Sequence, residues 1–193
     1  LFHTKQLDQF IQDQIAGRFV NNSPVAVVER SPLPCFRCIG VHHLTGAENQ
    51  GGHRVLFDVL DDVAQRAEFE KIQWGWRGQR PDELSRPILL DKPANQPMGD
   101  APLFRDMYLW AQVFGKPSDL VSGLTSMLPD GEPGNTWGHH SHYVVWMWVD
   151  APTADDPPPD DDPLTAAALW RARYEALAGQ VLEIAEGIDR TYR

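Results

Sequence analysis

The side chains best suited to chemistry in this chain are histidines, and they gather in three places: His42-His43, His53, and His139-His140-Ser141-His142. Neutral imidazoles in threes bind zinc or copper, and a carboxylate such as Glu48 or Asp58 could complete or orient the set. A metal centre on His42, His53, His140 and His142 would make the chain a metal-dependent hydrolase or oxidase, provided one coordination position stays open. The spacing lacks the H-E-x-x-H pair that puts two imidazoles on one helical face. Adjacent histidines on a strand point to opposite faces, so each pair offers one ligand inward. The same residues have two other uses: hydrogen bonds that hold loops in place, and direct contact with a ligand without metal.

Aromatic residues form a second constellation. Trp74 and Trp76 alternate onto one face of a strand, and Trp137 lies in the loop that leads into the last histidine group. Aromatic rings near His, Asn and Asp cover the apolar faces of sugar rings while the polar groups meet hydroxyls. Trp137, His139, His140, His142, His42 and Trp74 are therefore the candidate ligand-binding residues. Core packing is the competing use of each Trp. Trp137 is the hardest to bury, because Asn135 and Gly138 flank it. Exposed aromatics around Trp137 would favour sugar binding, and burial of all of them a structural role.

Other catalytic templates are missing. No G-x-S-x-G elbow, no glycine-rich phosphate loop and no dinucleotide fingerprint occurs. Asp82-Glu83, Asp100 and Asp106 sit in turn-rich stretches and read as solvated turn residues. Cys35-Phe36-Arg37-Cys38 is a single C-x-x-C, too few for a four-cysteine zinc site and without the βαβ context of a redox motif. It reads as two structural thiols, a disulfide or half a metal site. No cofactor is expected unless the histidines take zinc or copper.

These residues must be positioned by strands. Alternation and turn residues predict strands at 37–44, 53–60, 70–77, 86–90, 106–114, 119–125 and 142–149, with a possible edge strand at Val25 to Val28. From Tyr143 onward both rows of side chains are apolar, so this strand is central or has one face covered. About seven short strands without helix periodicity predict a mainly β fold, a single antiparallel β-sandwich. Two helices flank it. The first, over residues 1 to about 20, is amphipathic through Leu7, Phe10, Ile11 and Ile15, stops near Gly17, and either packs on its own sheet or binds a partner. The second runs from Pro163, where Trp170, Tyr174, Leu177, Val181, Ile184 and Ile188 mark an a/d heptad seam. That seam predicts oligomerisation or a partner protein, with packing on the first helix as the alternative. The resulting divisions are a helical arm (1–22), a proline-rich connector (23–36), the β-sandwich (37–150), an acidic proline-rich linker (151–162) and the C-terminal helix (163–193).

Composition narrows the partners. The net charge is −10, and five aspartates between 155 and 162 supply much of it. A nucleic-acid phosphate backbone needs clustered Lys and Arg, and no such cluster occurs, so no nucleic-acid partner is expected. No apolar run approaches the roughly 20 residues of a membrane span. The chain starts at Leu1 rather than Met, which suggests a processed product, a natural fragment or an excised domain.

The stretch His42-His43-Leu44-Thr45-Gly46-x-Glu48-Asn49-x-Gly51-x-His53, followed by Val55-x-Phe57-Asp58-Val59-Leu60-Asp61, resembles the Ig-like β-sandwich modules of bacteriophage and bacterial cell-wall proteins. Gly138-His139-His140-Ser141-x-Tyr143-Val144-Val145 is similar to the last strand of such modules. The resemblance covers about 110 residues and implies a non-enzymatic accessory or virion-type structural role. Together with the aromatics and the heptad seam it makes the expected function a non-catalytic binding or assembly module, structural or glycan-binding, in an extracellular or virion-associated setting. It carries over no active site.

Overall fold

The computed structural model describes residues 2–83 and 85–151. The acidic linker beyond Ala151 and the heptad residues Trp170, Tyr174, Leu177, Val181, Ile184 and Ile188 lie outside them. In chain order the elements are α1 (Phe2–Ile15), β1 (Val20–Asn21), β2 (Val27–Glu29), β3 (Cys35–His43), α2 (Gly46–Asn49), β4 (Arg54–Leu60), β5 (Lys71–Trp76), β6 (Ile88–Leu89), β7 (Gly99–Pro102), β8 (Leu109–Val113), β9 (Leu120–Leu124) and β10 (His142–Val149).

The fold is mainly β. Each of the seven expected strands is present, and the possible edge strand forms as β2. The described residues carry ten strands rather than about seven, in two five-stranded sheets ordered β1-β3-β10-β4-β7 and β2-β9-β8-β5-β6. β1 and β7, which the alternation did not show, are two and four residues long. So few residues cannot display a period, and at a sheet edge a short strand limits unwanted pairing. The boundaries at 22/23 and 36/37 also shift. Val20–Asn21 is already strand, and β3 begins inside the expected connector, at Cys35.

An all-antiparallel arrangement does not hold. β10 pairs antiparallel with β3 but parallel with β4, and β1 pairs parallel with β3. Parallel neighbours need a long crossover. The second sheet's strands β5, β6, β8 and β9 all fall between β4 and β10, so that requirement is met.

Strand periodicity decides what faces what. Val55, Phe57 and Val59 of β4 and Val144 and Trp146 of β10 enter the core between the sheets, where they meet Ile72, Leu109, Ala111, Val113, Val121 and Leu124. The opposite row of β10, Tyr143 and Val145, lies with Phe10, Leu56 and Leu60 in a smaller cluster. A strand apolar on both faces is thus explained within the chain. The second sheet covers one face, and α1 covers the other.

α1 docks through Phe10, fully buried, with Leu7 and Ile11 packed beside it. Burying a phenylalanine side chain contributes about 2–3 kcal/mol. Its ring stacks on Tyr143 at 6.2 Å between centroids, and it lies over Gly40, where a Cβ would run into the ring. Ile15 is 73% exposed and takes no part. Gly17, at φ +68°, ends the helix as its spacing implied.

One buried carboxylate fastens the connector. Asp119, fully buried, accepts from the guanidinium groups of Arg30 (2.7 Å) and Arg37 (3.0 Å) and from the backbone N–H groups of Ser31 (2.8 Å) and Cys38 (2.9 Å). Cys35 and Cys38 are both free and buried, so no disulfide joins them.

Candidate functional site

The register of β3 against β10 sorts the histidines. His142 lies opposite His43, and Tyr143 opposite His42. Side chains alternate, so His42 falls on the α1 side and His43 and His142 on the side of the second sheet. The paired histidines do point to opposite faces, as strand geometry requires.

His42 is held from both ends. The Asn22 amide donates to its Nδ1 (2.9 Å), and its Nε2–H donates to Glu48 (2.8 Å). Glu48 also accepts from the Thr45 N–H at 2.8 Å, closing a capping box that starts α2. Burial alone would raise the Glu48 carboxyl, but the hydrogen bonds from His42 and Thr45 outweigh it and hold the group below its ordinary range.

His43, His140 and His142 form a row at the end of the sandwich. The His43 ring lies 5.2 Å from that of His140 and 5.3 Å from that of His142. His43 Nε2 and His140 Nδ1 are 3.0 Å apart. His142 is fully buried; its Nε2–H donates to the Thr125 carbonyl (3.0 Å), and its Nδ1 lies 3.4 Å from the Ser23 hydroxyl. Burial pushes its pKa down to about 3, and the neighbouring histidines push the same way against the Thr125 carbonyl. His43 and His140 are lowered too, first by burial. The row is therefore uncharged at neutral pH, and it ties the connector, β3, β10 and the segment after β9 together.

The metal set His42, His53, His140 and His142 is not brought together. Strand alternation sends His42 away from His142, and His53 lies at the exposed start of β4, where it meets His139 edge-on at 5.8 Å. Among the described residues no group of three or more His, Cys, Asp or Glu side chains is placed to hold a metal ion. His42, His140 and His142 are also too buried to serve as the ligand-facing surface expected of them. Trp74 packs against the core beside Trp76 and donates its indole N–H to the Arg86 carbonyl.

Trp137 and His139 have a different setting. Their loop is pinned from within by Asn135, whose amide donates to the Leu44 carbonyl (2.7 Å) and accepts from Asn49 (2.8 Å). Asn49 also donates to the His139 carbonyl (2.6 Å). The Trp137 N–H donates to Asp130 (2.6 Å), and Gly138, at φ +81°, turns the chain with its N–H on Ser126 (3.1 Å). A rigid loop thus presents a ring that is 56% exposed. The ring lines a cleft of about 410 Å³ with His53, Leu103, Phe104, Arg105, Met127, Gly138 and His139. Phe104 is 58% exposed. His139 Nδ1–H donates to the Gly51 carbonyl (3.0 Å), which orients the ring and leaves its other nitrogen for a ligand.

Several of these residues carried little signal in the sequence. Phe104 and Arg105 lie in the connection after β7 and become neighbours of Trp137 only through the fold. Asn49 and Asn135 looked like ordinary turn residues. The pattern Thr45-x-x-Glu48 is the sequence signal for the short helix α2. His3, outside the three histidine groups, is buried and lines a neighbouring depression with Glu48 and Arg54. Compared with known proteins, the chain matches no family model, no curated protein and no solved structure.

Proposed function

We propose that this chain is a non-catalytic Ig-like binding module whose cleft at Trp137 takes an oligosaccharide. One observation carries the reading: Trp137 and Phe104, each more than half exposed, stand together in a cleft edged by His53, His139 and Arg105. Large apolar rings left open to water beside polar donors suit a sugar, whose ring faces are apolar and whose edges carry hydroxyls. The loop's internal hydrogen bonds support the reading further, because a preformed site loses less conformational freedom on binding. The resemblance to modules of phage and bacterial cell-wall proteins fits a non-catalytic role.

The test is Trp137→Ala. About 56% of a side chain that buries up to about 250 Å² is open. If a sugar covers half of that, the loss at about 25 cal/mol per Å² is about 1.8 kcal/mol, or about twentyfold in affinity. Isothermal titration against polysaccharide fragments should show that loss with an unchanged melting temperature. Equal binding by the variant would remove the cleft from the function.

The heptad residues Trp170 to Ile188 carry a second, compatible proposal from their spacing alone: association through the C-terminal segment. A monomeric mass for the full chain across a wide concentration range would end it.

A further inference from the structure

The Trp137 cleft continues past His53. A second depression of about 440 Å³ shares His53 with it and is lined by Asn49, Gln50, Arg54 and Asp100. A third, of about 330 Å³, shares those last four residues and adds Glu48 and Lys92. The three depressions are linked in series by these shared residues, and Arg54 lines the last two.

The charges along them are unequally satisfied. Glu48 is taken by His42 and the Thr45 N–H, and Asp100 is paired with Lys92. The Arg54 guanidinium has no hydrogen bond or ion pair among the described residues, although the chain's net charge is −10. Burial lowers Lys92, the charge of Arg54 lowers it further, and that of Asp91 raises it. At the Trp137 end Arg105 is exposed, with only a 3.9 Å approach to Asp106. An anion lying against Arg54 would meet the planar fork of a guanidinium with no partner among the described residues, which suits a carboxylate or a phosphate.

We propose that the oligosaccharide is acidic, with a carboxylate or phosphate on one unit bound by Arg54 while another unit covers Trp137 and Phe104. This rests on the sugar-binding reading above and deepens it.

Two matched pairs of probes test it by isothermal titration at low and high salt: hexagalacturonate against its full methyl ester, and singly phosphorylated maltohexaose against maltohexaose. The acid of at least one pair should bind about tenfold or more tightly than its neutral partner, with the preference shrinking in salt. The pair that shows it identifies carboxylate or phosphate. Arg54→Gln, at an exposed side chain, should abolish the preference, leave neutral binding intact and keep the melting temperature. Equal binding of acid and neutral forms, or a preference that survives Arg54→Gln, overturns the acidic assignment, while loss of binding in Trp137→Ala would still uphold the sugar site. If no probe binds, or if Trp137→Ala binds all of them like the native chain, the sugar reading fails and the acidic assignment falls with it.

Discussion

Acidification should unfold this protein through its buried histidine row, and His142 sets the scale. Its pKa falls from 6.5 to about 3 on folding, chiefly through burial. Below pH 6.5 the unfolded chain binds a proton there that the native state does not, so stability is full above that pH and is lost as the pH falls towards about 3. One pH unit in that window costs about 1.4 kcal/mol. From pH 7 to pH 5 the loss from His142 alone is therefore about 2 kcal/mol, and by pH 4 about 3 kcal/mol. His43 and His140, also lowered, act in the same direction. Asp58 acts in the opposite one, because burial raises its carboxyl despite the bond from Tyr143, and protonation there favours the native state. The two are separated by comparing the native chain with His142→Gln, which cannot charge but can still donate to Thr125. Urea unfolding at pH 7, 6 and 5 should show the native chain losing about 2 kcal/mol more than the variant over that range. Parallel pH dependence in the two would refute the argument that a buried, neutral His142 clamps the end of the sandwich.

Three further outcomes follow from the packing. Phe10→Ala should cost about 3–5 kcal/mol in urea unfolding, and Gly40→Ala about 1–3 kcal/mol, because the new Cβ displaces the same ring. The double variant should cost less than the sum, and strict additivity would show that the ring does not lie over Gly40. Asp119→Ala leaves Arg30, Arg37, the buried Cys38 N–H and the part-buried Ser31 N–H without their acceptor and should cost about 3–5 kcal/mol; a stability within 1 kcal/mol of the native chain would contradict the clamp. Burial pushes the Cys38 thiol up to about 12 and raises Cys35 as well, so a thiol reagent at pH 8 should label both only as fast as the chain unfolds. Immediate labelling of the native protein would show that one of them is accessible.

Of the residues lining the Trp137 cleft, Trp137 and His139 are among the candidates read from the sequence, and Phe104 and Arg105 are not. Trp137 stood out because a tryptophan between Asn135 and Gly138 has no strand to carry it inward, and it is exposed. The histidines were visible as a group, but their uses were not. His42 and His43 are neighbours in sequence, yet one bonds Glu48 on the α1 side while the other joins His140 and His142 on the opposite face. Alternation predicts that they part. It does not say which partner each meets, because Asn22, Thr125 and Glu48 come from three separate segments.

What the sequence by itself determined is the local alphabet of the fold. Period-two apolar rows place β3, β4, β5, β8, β9 and β10, Pro and Gly clusters separate them, and the spacing of Leu7, Phe10 and Ile11 marks the face of α1 that becomes buried. These follow from short-range sterics and from each residue's own affinity for water. The tertiary structure alone decided the strand order, the parallel pairing of β10 with β4, the cover that α1 lays over β10, and the meeting of Trp137 with Phe104 and Arg105. Those depend on contacts between residues far apart in the chain, chosen by which surfaces bury the most apolar area together, and a strand's own pattern shows only that it needs a partner.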